Sequence, residues 1–138
     1  MVDLEVARRD YAAQIAEALW KRSRVRVSDA LRAAFARIPR EDFLGAPPWL
    51  IRGMPARTVW QRMVRRMLHA PPSRDRPTSD AVRLYHPDAV VAIDANRGLN
   101  NGQPSALALW LHCLELKPAD RVLHVGCGLG YYTAIMAD

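Results

Sequence analysis

The last 18 residues, RVLHVGCGLGYYTAIMAD (121–138), run from an apolar segment into a glycine-rich turn and then into a helical pattern. Val122 to Val125 read as a buried strand, and Gly126, Gly128 and Gly130 as a turn in which the backbone approaches a ligand closely. A helix then begins near Tyr131 and offers free N–H groups at its start. Strand, glycine turn and helix in that order make the first βα unit of a Rossmann-like fold.

Spacing narrows the ligand. A dinucleotide turn carries GxGxxG, whose last glycine lets the helix pack close to the strand. Here the glycines make GxGxG, and the sixth position is Tyr131, too large for that role. An NAD enzyme is thereby disfavoured, and the turn points to S-adenosylmethionine.

Working back from the turn, KPAD (117–120) reads as a tight turn, and a helix runs from Pro104 to about Leu116 on Leu107, Leu111 and Leu114. NRGLNNGQPS (96–105) is a polar loop. AVRLY (81–85) and AVVAI (89–93) read as two short strands around His86–Asp88. APPSRDRPTSD (70–80) is a loop and the one plausible linker.

In the N-terminal part, Asp3 caps a helix reaching about Arg22, with Val6, Tyr11, Ile15, Ala18 and Leu19 near one stripe. A second helix starts at Ser28, buries Leu31, Ala34, Phe35 and Ile38, and stops at Pro39. In REDFLGAPPW (40–49), Phe43, Leu44 and Trp49 are expected to anchor an irregular segment in a core. Thr58 caps a third helix to about His69, apolar along Trp60, Met63, Val64, Met67 and Leu68 and basic along Arg62, Arg65 and Arg66.

The chain has 138 residues, half of them hydrophobic, with a net charge of +6. Sixteen Lys and Arg stand against 8 Asp and Glu up to Thr78, and 4 against 6 beyond it. The expected division is therefore a basic helical region, 1–78, and the start of a ligand-binding domain, 79–138. A basic half raises nucleic acid as a partner, but the excess is arginine in an Ala- and Pro-rich chain, which is a compositional trait of GC-rich coding sequence. The competing reading is a nucleic-acid-binding module built on the helix around Arg57–Arg66. No apolar run is long enough to cross a membrane and the N-terminus lacks the pattern of a signal peptide, so a cytoplasmic protein is expected. Cys113 and Cys127 share no metal-ligand spacing, so neither a metal site nor a disulfide is expected.

The segment LELKPADRVLHVGCGLGYYTAIMA (114–137) resembles the first S-adenosylmethionine motif of the protein-L-isoaspartate O-methyltransferases. VSDALRAAFARIPREDFLG (27–45) is similar to that family's N-terminal helix and PRE-x-F segment. GLNNGQPSALALWLHCLEL (98–116) is similar to its substrate loop and following helix. The resemblance covers residues 27–45 and 84–138, and 52–78 finds no counterpart. It implies an α/β protein: an N-terminal helical region plus the first βα unit of a Rossmann-like class I methyltransferase fold, with the sheet incomplete. It also implies a monomer that transfers a methyl group from S-adenosylmethionine to an isoaspartyl carboxylate of a protein or peptide, or to a different acceptor.

By that resemblance His124, Gly126, Gly128, Gly130 and Tyr131 are the cofactor-binding residues, and Asn101 and Gln103 orient the carboxylate. Asn100, Asn101 and Gln103 serve equally well as an Asx-rich turn capping the next helix. One of Tyr131 and Tyr132 is expected to cover the cofactor and the other to pack. Two departures stand out: Gly102 occupies the position of a family serine, and His124 that of a family acid. A strand buried on both faces needs neighbours, so the expectation is a fragment of a longer protein, inactive alone and loosely ordered over its last residues.

Overall fold

The computed structural model describes residues 3–52 and 75–138. Its frame is helical. Helix α1 spans Leu4–Ser23; the Asp3 side chain accepts a hydrogen bond from the Glu5 N–H and caps it. Arg24, in the left-handed region at φ 57°, ends it. Helix α2, Asp29–Arg37, begins under a Ser28 cap to the Leu31 N–H and stops before Pro39. Helix α3, Pro104–Cys113, opens on the proline. Helix α4 is Tyr131–Ala137.

These helices share one core. Ala7, Tyr11, Ala12, Ile15 and Leu19 form the buried face of α1, while Val6 is exposed and Ala18 half-buried. They meet Ala34 and Phe35 from α2, Tyr85, Ala108 from α3, and Tyr131, Tyr132 and Ile135 from α4. Tyr11 sits edge-on to Phe35 and Tyr85, with centroids 5.9 and 5.4 Å away, the preferred geometry for aromatic pairs. The cluster takes side chains from both sides of residue 78.

The strands are short and antiparallel. Strand β1, Trp49–Ile51, pairs with β2, Arg76–Thr78, with Trp49 opposite Thr78. Strand β3, Ala92–Asp94, pairs with β4, Leu99–Asn100, across a turn in which Asp94 accepts from the Asn96 and Arg97 N–H groups. An isolated bridge joins Ile51 to Val91. Trp49, Leu84 and Val91 make a second small core, with Leu44, Ile51 and Ala81 against it.

Several sequence expectations need correction. Ala81–Leu84 is a 3₁₀ turn, because the Asp80 carboxylate accepts from the Val82 N–H and closes the chain locally. Of 89–93 only Ala92 and Ile93 enter a strand. Strands β2 and β4 lie in segments expected to be loops. Residues 121–125 form no strand, and Val122, Leu123 and Val125 are 49, 88 and 84% exposed. A strand of this kind needs partners at both edges to satisfy its amides, and no described segment pairs with it. The strand expected for the first βα unit is accordingly not formed among the described residues, which make a mixed arrangement of helices and two small sheets.

The last residues are docked rather than loose. Tyr131, Tyr132 and Ile135 are buried, and Arg37 binds the Asp138 carboxylate. The expected helix from Thr58 to His69 lies outside the described residues. No described helix is long and apolar enough to cross a membrane. Both cysteines are free, and the described residues hold no cluster of His, Cys, Asp or Glu suited to a metal.

Candidate functional site

The glycine turn forms one wall of a cleft of about 480 Å³. Gly126, Gly128 and Gly130 have φ of 74°, 58° and 89°, a region that residues with a Cβ enter at a cost of about 1–2 kcal/mol. A Cβ at Gly126 would meet nothing within 4 Å, and one at Gly128 would touch Ile93 at 3.4 Å. The turn thus leaves open space over bare backbone. The Gly130 N–H closes it onto the Cys127 carbonyl at 3.0 Å, and the Gly130 carbonyl accepts the first helical bond of α4.

The opposite wall is the loop Asn100–Gly102, with Leu107 and Trp110 of α3 behind it and Phe43 and Leu44 at the side. Asn101 holds that loop in place: its Oδ1 accepts from the Val91 N–H at 2.8 Å, and its own N–H donates to the Val91 carbonyl at 3.0 Å. The Asn101 Nδ2 is buried without an acceptor. Gly102 has φ 75°, and a Cβ there would lie 2.6 Å from Leu107 Cδ1, so the Leu107 side chain would have to shift to admit one.

Gln103 points elsewhere. Its Nε2 donates to Asp88 Oδ1 at 2.7 Å and to Ser105 Oγ at 3.2 Å. Asp88 also accepts two contacts from Arg22 Nη2, at 2.8 and 2.9 Å, and the Ser105 hydroxyl at 2.8 Å. Burial would raise the Asp88 carboxyl, but the bonds from Arg22, Gln103 and Ser105 prevail and hold it at about 2. This network ties α1 to the start of α3 and so fixes the loop that faces the glycines.

His124 is half-buried on the cleft wall, its Nδ1 2.8 Å from Thr133 Oγ1 on α4. Tyr131 and Tyr132 both line the cleft and both are buried. Tyr131 packs edge-on against Phe43 and Tyr132, with centroids 5.6 and 5.0 Å away. The cleft therefore brings together Asn101, His124, Gly126, Gly128 and Tyr131 among the residues singled out from sequence. Gly130 shapes the turn, and Gln103 acts on the loop from behind.

Sequence reasoning missed Arg40. It is completely buried, lines the cleft, and donates through Nη1 to the Leu84 carbonyl at 2.5 Å and through Nη2 to the Ala89 carbonyl at 2.7 Å. Its guanidinium lies 6.0 Å from the Tyr131 ring centroid. Nothing local in PREDF marks this arginine as interior, because its partners lie 44 and 49 residues away.

A ligand-sized cleft bounded by bare glycine backbone is the setting in which the comparisons with known proteins are informative. The family model for protein-L-isoaspartate(D-aspartate) O-methyltransferase matches residues 58–138. That places the chain among the methyltransferases. It belongs to the protein-L-isoaspartate(D-aspartate) O-methyltransferase family. The match begins inside the stretch 52–78 that had found no counterpart, and it does not reach 27–45.

Among curated relatives, the protein-L-isoaspartate O-methyltransferase of Methylorubrum extorquens (strain PA1) is 36% identical over 88 residues, 55% of this chain and 39% of that protein. The protein of the same name from Roseiflexus castenholzii (strain DSM 13941 / HLO8) is 31% identical over 77 residues, 56% of this chain and 34% of the relative. Protein-L-isoaspartate O-methyltransferase 1 of Polaromonas sp. (strain JS666 / ATCC BAA-500) is 53% identical over 36 residues, 26% of this chain and 15% of the relative. The alignments thus span about two fifths or less of these relatives' length. No solved structure matches significantly.

Proposed function

We propose that this chain supplies the glycine-turn side of an S-adenosylmethionine site in a protein carboxyl methyltransferase whose acceptor is an isoaspartyl carboxylate of a protein or peptide. The observation that carries the reading is the turn at Gly126–Gly130, whose positive φ angles favour glycine and whose Gly126 and Gly128 line a cleft of ligand size. The residues fit the cofactor: Gly126, Gly128 and Gly130 would hold it by backbone, with His124 and Tyr131 beside them. S-adenosylmethionine supplies a methyl group already activated on a sulfonium.

What the chain must add is orientation. A carboxylate is ionised near neutral pH and needs no strong base, so placing its oxygen is most of the task. Asn101, which lines the cleft, contributes a buried donor, Nδ2, that has no acceptor among the described residues. Gln103 contributes indirectly, through the Asp88 network that holds the loop. Gly102 adds no hydroxyl where the resemblance places a serine, which leaves another carboxylate acceptor as the alternative. We read the cytoplasmic location and the monomeric state in the same way, as properties proposed for the whole enzyme.

Thermal unfolding of the chain with S-adenosylhomocysteine or NAD tests the reading. A ligand that binds only the folded state raises Tm with concentration. S-adenosylhomocysteine is expected to raise it and NAD to leave it unchanged. A rise with NAD alone would overturn the assignment of the turn.

A further inference from the structure

We infer that the inner wall of the cleft is a carboxylate subsite, with Arg40 as its cationic centre and Tyr132 and Asn101 as its neutral donors. An arginine stays protonated in a protein, and a buried charge is ordinarily paired. Arg40 is fully buried yet paired with no carboxylate: its two bonds go to the carbonyls of Leu84 and Ala89, and its Nε has no acceptor.

The neighbouring acids are committed elsewhere. Glu41 is held by Arg8 at 3.1 Å and by the Tyr85 hydroxyl, and Asp88 is held by Arg22. Residues 1–2 and 53–74 contain no Asp or Glu, so no counter-ion comes from outside the described residues. The positive charge at the cleft wall therefore has no carboxylate partner among the described residues.

Two other polar atoms in the cleft's lining residues share a character. Tyr132 Oη and Asn101 Nδ2 are buried, lack partners, and belong to cleft-lining residues. Each, like Arg40 Nε, has a hydrogen to donate. Burial raises the hydroxyls of Tyr11, Tyr131 and Tyr132, and the charge of Arg40 opposes that rise in all three. One fixed cation in a cleft whose lining residues carry unpartnered donors complements a monoanion with acceptor oxygens, and charge-assisted bonds to a carboxylate are the strong ones. As a structural staple Arg40 needs only its two Nη bonds. That role leaves Nε, Tyr132 Oη and Asn101 Nδ2 unexplained.

This inference rests on the methyltransferase reading for the identity of the carboxylate, which belongs either to the acceptor or to the amino-acid end of the methyl donor. The test follows the Arg40 Nε–H signal of the ¹⁵N-labelled chain by NMR. One pair of probes is S-adenosylhomocysteine and its decarboxylated counterpart. The other is an isoaspartyl peptide and the same peptide with that carboxylate amidated.

A shift with either acid and none with its neutral partner is expected, and which acid acts identifies the source. Arg40→Met removes the bonds to Leu84 and Ala89 and endangers the fold, so Tyr132→Phe is the informative variant. Deleting that hydroxyl should weaken the effective acid about fivefold, the value of one hydrogen bond. An Arg40 signal unmoved by every acid, while the amides of Gly126–Gly130 respond to S-adenosylhomocysteine, overturns the subsite and leaves the methyltransferase reading standing. An Arg40 shift with silent glycine amides does the reverse.

Discussion

Replacing Asp88 by Asn should destabilise the chain by about 2–3 kcal/mol, since it removes a charge that at least four donor contacts share. Two come from Arg22, one from Gln103 and one from Ser105, all between 2.7 and 2.9 Å. Asparagine keeps one acceptor oxygen but turns an NH₂ toward this ring of donors. Arg22 is 39% exposed at its side chain and can rehydrate, whereas Ser105 is 2% exposed and cannot. The acid limb gives an independent check. The Asp88 pKa in the fold is about 2, below the ordinary 3.8, so its stabilisation is full above about pH 4 and is lost as pH falls toward 2. The whole shift corresponds to about 2.5 kcal/mol, and screening at the exposed Arg22 reduces it to about 1–2 kcal/mol. Urea unfolding at pH 7 and at pH 2.5 measures both. Asp88→Asn should lower the wild-type midpoint at pH 7 and erase most of this acid-dependent loss. A midpoint at pH 7 within error of wild type would refute the reasoning.

Leu123→Ala should cost less than about 0.5 kcal/mol, because the side chain is 88% exposed; a loss of 2 kcal/mol or more, as for a core leucine, would mean that 121–125 is buried in solution. Gly102→Ser should destabilise by about 1–2 kcal/mol through its φ of 75° and the approach to Leu107, measured as a fall in Tm, and an unchanged Tm would contradict that geometry. Phe35→Ala, at the centre of the helical core, should cost about 3–5 kcal/mol in the same assay, and a cost below 1 kcal/mol would dissolve the proposed core. Gly128→Val should cost about 1–2 kcal/mol of stability and abolish the response to S-adenosylhomocysteine; undiminished binding would remove the glycine backbone from the site.

Features decided within a few residues could be read from sequence. The Asp3 and Ser28 caps, the stop at Pro39 and the start at Pro104 are local steric and hydrogen-bonding facts, and the structure has them as expected. The glycine turn belongs with them, since GCGLG sets its own backbone angles. The 81–85 segment failed for an equally local reason, the Asp80 side chain outbidding an alternating apolar pattern. Strands β1 and β2 were illegible because their pairing joins residues 25 to 29 apart and includes Pro77. At the site, Asn101 was legible as a polar loop residue. Gln103 was seen but not its direction, which depends on Asp88 and Arg22 meeting across 66 residues. Arg40 was invisible for the same reason.

The central claim is that the turn at Gly126–Gly130 is a cofactor wall, and amide shifts of the labelled chain on titration with S-adenosylhomocysteine test it most directly. The account predicts shifts concentrated at residues 124–131 and 100–102, the two faces of the cleft. Shifts confined to residues outside the cleft, or no shift at the glycines with ligand in large excess, would contradict it.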